Sequence, residues 1–171
     1  LDVQLVSVSD QWAQFAVAGP RARELLRGVV DPRHDLSNEG FPYMAAGSVR
    51  LRDGTPARLF RISFSGELAY ELAVPAAAAR TVWEAVLEAG RHYGIRPYGL
   101  DALNTLRLEK GHVTTAELNG NTSADDLGFQ RMLKKSGDFI GRALVSRPGL
   151  TAPDRLQLVG VRPLDRRQRL R

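Results

Sequence analysis

The residues best placed to do chemistry lie in ARLFRISFSGELAYELAV, residues 57–74, where two alternating runs flank Ser65-Gly66 and Glu67 opens the second run. A carboxylate leaving a turn at the start of a strand can face a pocket while the sheet holds its backbone still. The same acid also suits a solvated turn, and spacing alone leaves both readings open. Elsewhere the sequence offers little catalytic chemistry. His34, His92 and His112 are far apart and lack ligand-spaced partners, so a metal centre is not expected. No serine is framed as a nucleophile elbow, and there is neither a phosphate loop nor a Gly-x-Gly-x-x-Gly turn. With no cysteine, disulfides and thiolate ligands are excluded, which is compatible with the cytoplasm.

The element that must position Glu67 reads as a β-hairpin. Its first run sends Phe60, Ile62 and Phe64 to one face and Leu59, Arg61 and Ser63 to the other, and its second separates Leu68, Tyr70, Leu72 and Val74 from Glu67, Ala69, Glu71 and Ala73. Ser65-Gly66 serves as the tight turn, with Gly66 free to take positive φ. Upstream, the alternation of Val3, Leu5 and Val8 and the run 12–17 predict two short strands that pair around Ser9-Asp10-Gln11. Gly19-Pro20 then starts a helix over 21–29 that buries Ala22, Leu25, Leu26 and Val29. Residues 33–40 read as a polar loop, 44–51 as a strand, and Asp53-Gly54 as the hairpin turn that leads into the Glu67 hairpin. Residues 76–93 give the clearest helix, stopped by Gly94; residues 95–98 connect it to a third helix, 100–110, expected to pack Leu100, Leu103 and Leu106. Beyond Gly111, residues 138–145 open into a short helix and Leu156 to Val161 reads as one more strand.

These elements predict an α+β fold: a ferredoxin-like sandwich with antiparallel strands over 1–111, a helical and loop extension over 112–150, and over 151–171 the start of a truncated β unit with a basic tail. The 171 residues are 43% hydrophobic, enough for a real core. Beginning at Leu1-Asp2-Val3 without Met, the sequence reads as a cut from a longer chain, and no apolar run approaches the ~20 residues that cross a bilayer. The net charge of +5 comes from 21 Arg and 3 Lys against 19 acids, partly in a cluster of Arg162, Arg166, Arg167, Arg169 and Arg171. Such a charge favours salt-sensitive association with polyanions. Specific nucleic-acid binding is not expected, because residues 44–51 lack the aromatic strand that RNA-binding ferredoxin-like modules use.

Four segments together resemble the folate-dependent aminomethyltransferase superfamily: Val17 to Arg23 (VAGPRAR), Ser63 to Leu72 (SFSGELAYEL), Gly99 to Gly111 (GLDALNTLRLEKG) and Asp138 to Arg142 (DFIGR). That superfamily includes the glycine-cleavage T-protein and the folate modules of sarcosine- and dimethylglycine-oxidising flavoenzymes. Within it, Ser-Phe-Ser-Gly-Glu and Leu-Arg-Leu-Glu-Lys-Gly look most like the alpha subunits of heterotetrameric sarcosine oxidases. The Gly-Glu hairpin and the Leu-Arg-Leu-Glu helix carry most of the resemblance.

The resemblance implies a tetrahydrofolate-binding fragment, with Glu67 standing where the family's acid recognises the pterin ring. A pterin presents a 2-amino group beside a ring N–H, and one carboxylate accepts both in a two-pronged, charge-assisted contact. Phe64 replaces the T-protein Tyr; it suits stacking on a flat heterocycle or packing in the core. Arg107 fits structural ion pairing better than a contact with the folate tail, and Tyr98 is a weaker candidate. The implied parent oxidises sarcosine through a flavin and passes the one-carbon unit to tetrahydrofolate. FAD or FMN and NAD would be held by parts of the parent outside this chain, in company with other subunits. The family's functional aspartate lies upstream of the position equivalent to Leu1, so the fragment is expected to be inert alone. Leu103-Asn104 replaces an Arg-Asp pair of T-proteins, and Thr122-Ser-Ala-Asp125 replaces a Thr-x-Pro pattern, so contacts made from those places do not carry over.

Overall fold

Four stretches pair into one antiparallel sheet: β1 (Trp12–Ala18), β2 (Ala46–Arg50), β3 (Pro56–Phe60) and β4 (Ala69–Pro75), in the order β1-β4-β3-β2. They belong to a computed structural model that describes residues 2–133, 136–165 and 167. The chain divides into two units, residues 1–110 and 111–171.

In the N-terminal unit, alternation dictates which side chains go inward. On β3, Ala57 and Leu59 are buried while Arg58 is exposed; β4 runs through the centre of the sheet, with Tyr70, Leu72 and Val74 wholly buried. The central pairings are Phe15 with Leu72 and Leu72 with Leu59. Two helices cover this face, α1 (Ala22–Val29) through Leu25, Leu26 and Val29 and α2 (Ala79–Gly90) through Val82 and Val86, giving a two-layer core. The opposite face carries Gln14 hydrogen-bonded to Glu71, and the Arg58 guanidinium over the Trp12 ring at 4.2 Å. A further helix, α3 (Leu100–Lys110), follows α2 after a helical turn and an irregular connection.

The α+β reading with antiparallel strands and helices therefore holds. The Asp53-Gly54 turn joins β2 to β3 as expected, its Thr55 N–H donating to Asp53 Oδ1 at 2.9 Å. Gly94, at φ 73°, ends the α2 region in the left-handed conformation that glycine adopts at little cost. Among the described residues no helix is long and apolar enough to cross a membrane.

Residues 2–8 form no strand and do not pair with β1, whose ladder is made with β4 alone, and Leu5 and Val6 stay exposed outside the sheet. Leu1 lies outside the described residues. The outer edge of β1 lines a cavity of about 590 Å³, shared with the start of α1, the end of α2 and the connection through Tyr98. The leucine stripe of α3 is not packed as expected, since Leu100 is 77% exposed while Arg107 is buried.

The C-terminal unit is built from turns and short helical pieces, including α4 (Arg142–Val145). Leu156 to Val161 is no strand; its Leu158 N–H donates to the Asp126 carbonyl at 2.7 Å. Lys134-Lys135, Arg166 and residues 168–171, which include Arg169 and Arg171 of the terminal cluster, lie outside the described residues. The unit is organised on Asp126. Its carboxylate receives Arg155 Nε at 2.9 and 3.1 Å, Arg155 Nη2, and the Ser123 N–H at 2.7 Å. Arg155 also reaches the carbonyls of Gly149, at 2.6 Å, and Asn121. One side-chain pair thus ties residues 121–126 to 149–158.

The Arg155 hydrogen bonds, followed by the Ser123 N–H, hold the Asp126 carboxyl well below the usual carboxylate range. A group depressed in the folded state contributes stability that is fully present above its unfolded pKa and is lost as pH falls through the folded value. Amide-exchange protection in residues 121–158 is therefore expected to be flat above about pH 4 and to fall below it, about where an unperturbed Asp titrates. Asp126→Asn should remove that pH dependence and lower protection at neutral pH. An unchanged profile would contradict this role.

Candidate functional site

The β3–β4 register runs Arg58–Ala73, Leu59–Leu72, Phe60–Glu71 and then stops. Residues 61–68 are consequently an irregular loop, not strand ends joined by a tight Ser-Gly turn. The alternation of 57–64 misleads because the chain keeps pairing on its other side: the Arg61 N–H donates to the Ala45 carbonyl at 2.8 Å, and its carbonyl accepts from Met44 N–H at 3.0 Å. Arg61 Nη1 also donates to the Phe41 carbonyl at 2.8 Å.

Within the loop, Gly66 N–H donates to Ser63 Oγ at 3.0 Å and Gly66 takes φ 85°. Glu67 is exposed and Phe64 is 38% exposed, whereas Ser65 is buried with its Oγ lacking a partner. Long-loop residues on a fixed sheet are the usual carriers of recognition.

Three of the resembling segments converge on this loop. The Gly19 N–H donates to the Leu68 carbonyl at 2.9 Å, and Arg23 Nε to the buried Tyr70 hydroxyl at 2.9 Å, tying 17–23 to 63–72. Arg23 Nη2 also reaches Asn38 Oδ1 at 2.6 Å. From the third segment, the Lys110 stem lies across Gly66: a Cβ at Gly66 would stand 2.8 Å from Cγ and Cδ of Lys110. The last turn of α3 therefore packs on the residue before Glu67. Arg107, one turn earlier, is 8% exposed and donates to Asn104 Oδ1 at 3.4 Å.

Of the four residues singled out from the sequence, Phe64 and Glu67 share the loop, and Arg107 sits on the helix whose end the loop touches. Tyr98 lies apart, in the cavity along β1, which Phe64, Glu67 and Arg107 do not line. Sequence reasoning missed Lys110, Arg23 and the burial of Ser65. The signal for Lys110 was available, as it stands inside Leu-Arg-Leu-Glu-Lys-Gly.

Gly66→Ala should be costly in proportion. A side chain at this positive φ costs about 1–2 kcal/mol, and the Lys110 stem must also shift. Thermal melting should show the loss. An unchanged melting point would mean that the loop does not hold this conformation.

A family model described as the GCVT N-terminal domain matches residues 1–137. Sarcosine oxidase subunit alpha of Rhizobium meliloti (strain 1021) is 55% identical over 100% of this chain and 17% of its own length. Its counterpart in Corynebacterium sp. (strain U-96) is 41% identical over 99% of the chain and 18% of its length. The aminomethyltransferase of Moorella thermoacetica is 37% identical over 96% of the chain and 44% of its length. The chain thus spans less than a fifth of the sarcosine oxidase subunits it matches.

Proposed function

Because the chain belongs to the GCVT N-terminal domain family, we propose that it is the tetrahydrofolate-binding portion of a longer sarcosine oxidase alpha-type subunit. The observation that carries this reading is the convergence of the Gly-Pro, Gly-Glu and Leu-Arg-Leu-Glu-Lys segments around the loop that carries Glu67. The residues present suit a pterin. Glu67 is an exposed carboxylate on a loop fixed at both ends, able to accept the ring N–H and the 2-amino group together. Beside it, Phe64 offers a partly exposed ring for stacking. Arg107 keeps a positioning role at the end of α3, supported by its burial. Tyr98, which lines the separate cavity along β1, is the weakest of the four candidates.

The parent activity in this reading is flavin-dependent oxidation of sarcosine, with the one-carbon unit passed to tetrahydrofolate to give the 5,10-methylene derivative and glycine. The flavin and NAD are held by other parts of that parent, which works in the cytoplasm with further subunits. A T-protein-like aminomethyltransferase fragment is less well supported, since Leu103-Asn104 stands in place of the Arg-Asp pair. The test is equilibrium titration of the chain with tetrahydrofolate under anaerobic conditions: one-site, saturable binding is expected, and its absence contradicts the reading. The isolated chain is also expected to form no methylenetetrahydrofolate above background when mixed with tetrahydrofolate and formaldehyde.

A further inference from the structure

Among the described residues, three buried side-chain atoms lack a hydrogen-bond partner: Glu24 Oε2, Arg61 Nε and Ser65 Oγ. Two of the three fall in the single loop that carries Glu67. Leaving a buried polar group unpaired costs free energy that folding ordinarily avoids, so a pair of them in one short loop calls for a cause. Phe64 and Glu67 are already accounted for in the folate reading; Ser65, between them and 6% exposed, is not.

Resting on that folate reading, we propose that Ser65 is a second ligand contact of the Glu67 site, donating its hydroxyl proton to the ring carbonyl of the bound pterin. The chemistry follows from the edge that Glu67 takes. A carboxylate satisfies the 2-amino group and the adjacent ring N–H, and the next atom along the same edge is the 4-oxo oxygen, an acceptor that a carboxylate cannot serve. A hydroxyl can. Ser65 and Glu67 flank Gly66, which the Lys110 stem covers, so the backbone between donor and acceptor is held from one side. In the ligand-free loop Ser65 Oγ is covered, and contact requires the side chain to turn about χ1. That rotation exchanges one staggered rotamer for another, in a segment that belongs to no strand. The unpaired hydroxyl raises the energy of the free loop and is satisfied in the complex, which favours binding.

This assignment makes two effects of Ser65→Ala opposite in sign. Removing a buried, unpaired hydroxyl should leave the melting temperature of the ligand-free chain unchanged or raise it, whereas a hydroxyl with a structural partner would lower it. The same variant should bind tetrahydrofolate about three- to tenfold more weakly. Bare tetrahydropterin, which lacks the benzoyl-glutamate tail, should lose the same factor, because the contact is to the ring. Wild type and Glu67→Gln are titrated alongside. Binding that depends on Glu67 but not on Ser65 overturns the inference and leaves the folate reading intact. A lowered melting temperature in Ser65→Ala overturns it as well. If the wild-type chain binds neither probe, the folate reading fails and the assignment of Ser65 falls with it.

Discussion

Leu72→Ala is expected to cost the N-terminal unit about 2–5 kcal/mol, the range for emptying a leucine site in a close-packed core. Leu72 is fully buried at the middle of β4, the strand that β1 and β3 both pair with, opposite Phe15 on one side and Leu59 on the other. Truncation therefore leaves a cavity at the one place where both ladders and the helix layer meet, and β-sheet backbone on both flanks limits how far neighbours can collapse into it. For a domain of this size each kcal/mol moves the midpoint by about 4–8 °C. Chemical denaturation should show the loss as a lower midpoint with an unchanged slope. A cost under about 1 kcal/mol would mean that β4 is not the centre of the sheet.

How much of this was legible in the sequence depended on whether a local pattern had a local cause. The spacing of Ala22, Leu25, Leu26 and Val29 set the buried stripe of α1, and the structure buries all four. Asp53-Gly54 announced its hairpin because the turn chemistry is contained in two residues. Alternation put Tyr70 and Glu71 on opposite faces, and Tyr70 is wholly buried while Glu71 is half-buried. The loop at 61–68 was not legible for the opposite reason. Alternation says which side chains share a face but not which neighbour the strand pairs with, and Arg61 continues towards Ala45 after the β4 register has ended. The leucine stripe of α3 was legible only in part: Leu103 and Leu106 are half-buried, but Leu100 is exposed, because helical spacing groups side chains on one face without saying how far it is covered. The same holds for residues 2–8 and 156–161, which have the composition of strands while strand hydrogen bonds depend on a partner elsewhere.

The candidate site was legible as motifs rather than as geometry. Glu67 was found because Gly-Glu at the head of an alternating run is distinctive, and the motif on α3 because Leu-Arg-Leu-Glu-Lys-Gly is. That both motifs meet, through Gly66 and Lys110, was not contained in either segment. Nor did any sequence pattern distinguish Ser65, whose significance lies in a buried oxygen without a partner.

In the proposed function Glu67 reads a pterin edge. Calorimetric titration with tetrahydrofolate, run on the wild-type chain beside Glu67→Ala, tests it most directly. Removing one partner of a charge-assisted, two-pronged contact costs about 2–4 kcal/mol when the other partner's donors are left unsatisfied. That is a loss of roughly 30- to 1000-fold in affinity. Since Glu67 is exposed in the ligand-free chain, the variant should keep the wild-type melting temperature, which separates lost recognition from lost folding. Saturable binding by the wild type that disappears in Glu67→Ala is the expected result. Equal binding by both proteins would contradict it and make Glu67 a solvated residue of the loop.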